Sequence, residues 1–318
     1  MPDCLALGIL FADVGCWPID RLPDAGELVP TERVQLSLGG CASNVALDLA
    51  KLEFHVGLAG CVGDDAFSDY IVKSLSVPNV DTSHLKRVPN MGPGSTLIVN
   101  VQGEDRRFIS TTGANAEFDV EDIPEEWLKT AKALYLGGFL MMPKLESSKT
   151  VDMFRLAQSY GCRTILDVVL YGDRPYWDAV APLLPYTDVF VPNDWEAKML
   201  SGLDNPIEQA EFFLKAGVKA AVITCGEQGT YYLSASERFK SGIYPTKFVG
   251  GTGSGNAFAA GFMAGICQKL SPQDCVRWGS ALGASCVRDV SATESVFNRQ
   301  EMEAFLAANS LKMEILST

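Results

Sequence analysis

Short apolar runs of strand character alternate with helix-period segments along most of the chain. CLALGILFADVG reads as a first strand, and ASNVALDLAKLEF as a helix with Val45, Leu49 and Leu52 at 3–4 spacing. HVGLAGCVG is the next strand and AFSDYIVKSL the next helix. ALYLGG, a helix through VDMFRLAQSYG, the strands CRTILDVV and DVFVPN, a helix from WEAKML, then KAAVITCGEQG and TYYLS continue the rhythm. NAFAAGFMAGICQKL and QDCVRWGSALGASCVRD read as two long apolar helices. Repeated strand–helix units predict an α/β fold with a mostly parallel sheet covered on both faces. In such sheets ligands gather at the carboxyl ends of the strands.

One region breaks the rhythm. GSTLIVNVQGEDRRFIS, residues 94–110, reads as a β-hairpin with its turn at Gly103, Glu104 and Asp105. Residues 15–38 are Pro-rich and then strand-like. Together these segments predict a small separate sheet, either a lid over a ligand or an antiparallel edge extension. The predicted lid spans residues 15–38 and 90–115, within one domain of residues 1–318. Arg106 and Arg107 read as solvated edge charges, or as partners for a ligand phosphate or carboxylate.

Composition removes several function classes. At 47% hydrophobic and 20% charged the chain is ordinary for a globular protein. No run of about 18 apolar residues predicts a membrane span. The start lacks a basic leader and has Asp3 and Asp13 in or beside its apolar run, so it reads as a buried strand in a cytoplasmic protein. A net charge of −13 with scattered Lys and Arg argues against nucleic acid and anionic membrane as partners. Phosphate must then be bound locally, by backbone N–H groups and a metal. Nine dispersed cysteines without a Cys-x-x-Cys pair, and only His55 and His84, argue against zinc and against a disulfide framework.

The segment most suggestive of chemistry is FVGGTGSGNAFAAGF, residues 248–262. A strand end is expected to meet Gly250, Gly251, Gly253 and Gly255, with a helix starting near Asn256. Such a turn aims several N–H groups at one point, an anion hole for a transferring phosphoryl group. It is not a P-loop, because no Gly-Lys pair occurs in the chain. It is a poor dinucleotide fingerprint too: the third glycine falls on Asn256 or Phe258, which weakens a nicotinamide-dehydrogenase reading. A second segment, LGGCASNVALDLAKL, sets Gly39 and Gly40 before Asn44 at a helix mouth. Asn44 offers donor and acceptor to a polyhydroxy ligand.

With these two segments, HVGLAGCVGDDAF, VPNDWEA and ITCGEQG, the chain resembles the ribokinase-like, or PfkB, family of carbohydrate kinases from about residue 5 to about 310. The resemblance implies a three-layer doubly wound sheet with a β-sheet lid, and ATP- and magnesium-dependent transfer of phosphate to a hydroxyl of a small sugar or polyol. It implies that Asp13, Gly39, Gly40, Asn44 and Asn115 bind the sugar. It implies that Asn193 and Glu196 organise magnesium and ATP phosphates, Glu196 partly through water, and that Thr224, Gly226 and Gly229 form the nucleotide loop. Gly253, Ser254 and Gly255 match the anion hole, and Asn256 the base position. A homodimer through the lid is implied as well. From the residues alone, Asp13 could instead cap a turn, and Asn193 with Glu196 could be an ordinary helix start.

Two departures stand in the glycine motif. Gly250 replaces an aspartate associated with a monovalent-cation site in some members, which leaves such a requirement open. Asn256 replaces the aspartate base, and a carboxamide has no useful basicity. Three readings follow: an altered form of an active kinase, a non-catalytic sugar- or nucleotide-binding protein on the same scaffold, or a slow kinase using another base or water. The segment LDVVLYGDRPYWDAV lacks the Asp-x-Asn-x-Arg pattern of some ketogluconate-type members.

Overall fold

The structure is a computed structural model that describes residues 1–104 and 107–317. Asp105 of the expected turn and the neighbouring Arg106 lie outside the described residues. In chain order the strands are β1 (Cys4–Gly8), β2 (Phe11–Cys16), β3 (Val34–Gly39), β4 (Val56–Val62), β5 (Val80–Arg87), β6 (Gly94–Val99) and β7 (Arg107–Thr111). They continue as β8 (Ala133–Gly137), β9 (Arg163–Leu166), β10 (Val189–Phe190), β11 (Ala220–Thr224), β12 (Thr230–Ser234), β13 (Arg238–Ser241) and β14 (Met313–Ile315).

Among the described residues, ten strands form one sheet in the order β14-β13-β12-β11-β10-β9-β8-β1-β4-β5. The pairs from β11 through β5 are parallel, and β12, β13 and β14 add antiparallel at one edge. β1, β4 and β8 are buried along their whole length, as expected for central strands covered on both faces. The helix Ser254–Cys267 packs on the helix Pro272–Cys286 and on the helix Cys41–Lys51. Its Gly261 lets the backbones approach closely: a Cβ there would stand 2.5 Å from the Trp278 carbonyl oxygen. On other strands the helix Ser148–Ser159 covers β9, and the helix Pro206–Lys215 covers β11 and β12. The arrangement is the mostly parallel, two-side-covered sheet that the alternation predicts, in the three-layer, doubly wound form that the resemblance implies.

A four-stranded sheet stands beside it, ordered β3-β2-β6-β7, with β2 and β6 parallel and the other pairs antiparallel. This corrects the single first strand expected over residues 4–15. The run divides into β1 in the large sheet and β2 in the small one, with only Ile9 and Leu10 between them. The break is held from outside. The fully buried Asn115 amide accepts a hydrogen bond from Leu10 N at 2.9 Å and donates to Leu10 O at 2.9 Å. Both polar backbone groups of the connecting residue are thereby satisfied where no ladder reaches them.

A second correction concerns the glycine-rich segment. No strand leads into Gly250; residues 242–253 are irregular, and Phe248 is 72% exposed. The chain is instead anchored where Val249 N donates to Val287 O at 2.7 Å. All nine cysteines are free and eight are buried, in keeping with their reading as small apolar residues. No helix among the described residues is long and apolar enough to cross a membrane.

Asn115→Ala leaves both Leu10 groups buried and unpaired, at about 1–3 kcal/mol each. The expected result is a loss of about 2–4 kcal/mol in urea unfolding. Asn115→Asp keeps an acceptor for Leu10 N but sets a buried acid against the Leu10 and Thr112 carbonyls, so at neutral pH it should cost at least as much as Asn115→Ala.

Candidate functional site

The strand order turns at β1, which has β4 on one side and β8 on the other. Crevices at such turning points are where doubly wound sheets bind ligands. Here two glycine-led helix starts meet. Gly40 caps the helix Cys41–Lys51 and Gly253 caps the helix Ser254–Cys267. Asn44 of the first helix donates from Nδ2 to Oδ1 of Asn256 on the second at 3.1 Å, across 212 residues of chain. The Asn44 Oδ1 is buried and has no hydrogen-bond partner among the described residues. A buried free acceptor of this kind suits a hydroxyl donor.

The donor chain continues inward. Asn256 Nδ2 donates to the Tyr135 hydroxyl at 3.5 Å, and that hydroxyl donates to Asp167 Oδ2. Tyr135, from β8, and Asp167, just past β9, were not singled out from the sequence. Their signal was position: an acid at the carboxyl end of a buried parallel strand. Burial pushes the Asp167 carboxyl up to about 7, despite the Tyr135 bond. It also raises the Cys41 thiol beside this chain, so the sulfur stays neutral.

The glycine loop is shaped for close approach. Gly253 has φ +81°, and a Cβ there would stand 2.6 Å from the Cβ of Ala292. The Ser254 hydroxyl donates to Gly251 O at 2.9 Å, while open space lies beside Gly255. Gly253 contributes no side-chain cap, so the first turn presents main-chain groups rather than a blocking side chain. Ala292 belongs to a buttress. Cys286 Sγ reaches the carbonyls of Thr252 and Ala292 at 3.3 and 3.2 Å, and Lys51 Nζ donates to the carbonyls of Thr293 and Val296. The helix that bears Asn44 at its start therefore holds the glycine loop from its other end.

Asn193 and Glu196 form a full capping box on the helix Asp194–Ser201, with Asn193 N to Glu196 Oε2 at 2.9 Å and Glu196 N to Asn193 Oδ1 at 2.8 Å. Burial first, and then the nearby Asp167 charge, push the Glu196 carboxyl up to about 8. Thr224, at the end of β11, bridges to Asn193, and the single turn Gly226–Gln228 follows, closed by Cys225 N to Gly229 O at 2.8 Å. No group of three or more His, Cys, Asp and Glu among the described residues is set to hold a metal. Two enclosed carboxyls that disfavour each other's charge still suit a divalent cation, provided phosphate and water complete its shell.

Asp13 lies on β2, in the small sheet. A Cβ on Gly39 would collide with its carboxylate, so glycine is required there for the acid to lean toward the Gly39–Gly40 turn. Burial raises its carboxyl to about 6, against a hydrogen bond from Thr96. Asn115 is not brought into this group with a free amide: its side chain is spent on Leu10 and on Thr112 O.

Asp13 supplies a pH test. Its folded pKa of about 6 lies above its ordinary 3.8, so the folded state holds the proton more tightly between those values. Stability from this group is present below about pH 4 and is lost as pH rises through about 6. At about 1.4 kcal/mol per pH unit the ceiling is ~3 kcal/mol. Thermal unfolding should show Asp13→Asn flattening that decline without changing the fold.

Comparison with known proteins agrees with this geometry. Ribokinase from Staphylococcus aureus (strain COL) is 25% identical over 288 residues, covering 87% of this chain and 91% of that protein. The 5-dehydro-2-deoxygluconokinase of Clostridium perfringens is 27% identical over 292 residues, covering 84% and 86%. The structure of Arabidopsis thaliana ribokinase complexed with ribose and ATP superposes with a TM-score of 0.84 at 25% identity, over 96% of this chain and 98% of that one. The family model for pfkB family carbohydrate kinases matches residues 1–299. With a match of that length the chain belongs to the pfkB family of carbohydrate kinases, phosphotransferases with an alcohol group as acceptor.

Proposed function

We propose that this chain binds ATP with magnesium and a small sugar or polyol, and that phosphate transfer is impaired because position 256 is asparagine. The observation that carries the reading is the 3.1 Å bond between Asn44 and Asn256, which joins the sugar-type and phosphate-type helix starts. In this reading Asp13, Gly39, Gly40 and Asn44 hold the acceptor, and Gly253, Ser254 and Gly255 hold the transferring group. Thr224, Gly226 and Gly229 border the nucleotide. Asn115 acts on the sugar pocket through its hold on Leu10. Glu196 and Asp167 face the cation, which would neutralise phosphate charge when bound.

Phosphoryl transfer depends mainly on positioning and charge stabilisation, which in this reading do not require a base at 256. A missing general base slows transfer by about 10²–10⁴-fold. One observation favours a second reading, a non-catalytic binding protein: both ends of the Asn256 amide are engaged, by Asn44 and by Tyr135. That is the work of a neutral spacer.

The chain is one domain, and the small sheet, with segments 15–38 and 90–115, is its lid. Leu97 and Ile109, 46% and 68% exposed on the lid's outer face, suit pairing with a second copy. Free cysteines suit the reducing cytoplasm. Gly250 offers no carboxylate, so no monovalent-cation requirement is included.

Asn256→Asp is the test, assayed by ATP consumption across neutral and acidic sugars with calorimetric binding alongside. A rise of about 10²-fold or more on one acceptor is expected. Equal turnover in both forms would remove position 256 from the base role. Binding without turnover in either form would favour the binding protein.

A further inference from the structure

Asp48 and Lys51 lie three residues apart near the end of the helix Cys41–Lys51, a spacing that makes them neighbours on its surface. Asp48 is fully buried, and neither of its carboxylate oxygens has a hydrogen-bond partner among the described residues. A buried carboxyl left bare is a costly feature for a fold to keep. Burial pushes it well above the usual carboxylate range, and the Lys51 charge opposes that shift.

Lys51 itself is spent elsewhere. Its ammonium donates to the carbonyl of Thr293 and, at 3.3 Å, to that of Val296, with Glu294 O at 3.5 Å. Thr293 and Val296 are buried, and Val296 N closes the turn between them on Thr293 O at 3.1 Å. This turn starts next to Ala292, the residue packed on the glycine loop. The Ala292 Cβ and carbonyl oxygen each stand 2.6 Å from where a Gly253 Cβ would be. One peptide therefore separates the first acceptor of the ammonium from the atoms on which Gly253 rests. Gly253 caps the helix Ser254–Cys267, and N–H groups of such a first turn suit a phosphate. Arg288 to Ser295 O at 2.6 Å, and Ser295 Oγ to Ser285 O and Cys286 O at 2.7 and 2.9 Å, tie the same segment to the helix Pro272–Cys286. Lys51 ties it to the helix Cys41–Lys51.

We propose that Lys51 is a positioning residue for the terminal phosphate of the nucleotide, with Asp48 as the alternative seat of its ammonium. Seated on the carbonyls, as in this structure, Lys51 holds Ala292 against Gly253 and fixes the first turn of the helix. Seated on Asp48, it satisfies the bare carboxyl and releases the segment. The two arrangements differ by rotation of one side chain, a discrete two-state element. The inference rests on the nucleotide-binding reading above and deepens it.

The test is calorimetric titration of the full chain with ATP and with ADP, each with magnesium, beside thermal unfolding without nucleotide. The two ligands differ by the phosphate that the glycine loop faces. Lys51→Met should weaken ATP by about 10-fold or more and ADP by less than about 3-fold. Lys51→Arg, which restores a cation with several donors, should keep ATP within about 3-fold of the parent chain. Asp48→Asn weakens the second seat, so ATP affinity should stay equal or rise. Lys51→Gln is the parallel variant if Lys51→Met does not fold. Unchanged ATP affinity in a folded Lys51→Met or Lys51→Gln form overturns the proposal. So does an equal fall for ATP and ADP, the mark of a merely structural role, or a Lys51→Arg form as weak as Lys51→Met. A fall in Asp48→Asn matching that in Lys51→Met also overturns it, because charge balance within the pair, and not the grip on the carbonyls, would then set affinity. Failure of the parent chain to bind either nucleotide takes down the nucleotide-binding reading itself, which distinguishes the two failures.

Discussion

Passing from one sheet to another within two residues exposes backbone polar groups that neither sheet can satisfy. The Asn115 amide meets that demand at Leu10, and most of the site follows from it. Because β1 ends there and β2 begins, Asp13 leaves the large sheet and stands across the crevice from its floor. Asn115 lies in the turn Gly113–Glu117, directly after β7, so the amide also fixes the far side of the small sheet. Asn115 commits both amide donors and one acceptor site to the frame.

The site combines such frame contacts with charges left under tension. Asn44, Asn256 and Tyr135 donate in one direction and end on Asp167. No ionised group interrupts that series before Asp167, so asparagine at 256 fits it without a further negative charge. An aspartate there would be separated by the Tyr135 hydroxyl alone from the enclosed Asp167, whose carboxyl already resists ionisation. Base strength and charge crowding are thus opposed at a single position. Bound magnesium would ease that opposition by offsetting the carboxylates.

Much of this was legible in the sequence. The alternation gave the parallel sheet, and the pairs Gly39–Gly40 and Gly253–Gly255 marked both helix starts. The capping box at Asn298 and Glu301 was equally visible in NRQE and went unread, as did the edge strands β13 and β14, whose short mixed sequences carry little periodicity. The split of CLALGILFADVG could not be read locally. Its apolar run continues through the break, and the group that holds the break lies 105 residues away in sequence. Tyr135 and Asp167 were hidden for a related reason: each looks like a strand residue until neighbouring strand ends bring them together.

The small sheet is joined to the rest at more than one place, and this shapes how force passes through the protein. β2 follows β1 after two residues, and β3 runs directly through Gly40 into the helix Cys41–Lys51. That helix ends at Lys51, on the carbonyls behind the glycine loop. A tilt of the small sheet would therefore bear on this helix as on a pushrod, and through Lys51 on the carbonyls behind the glycine loop.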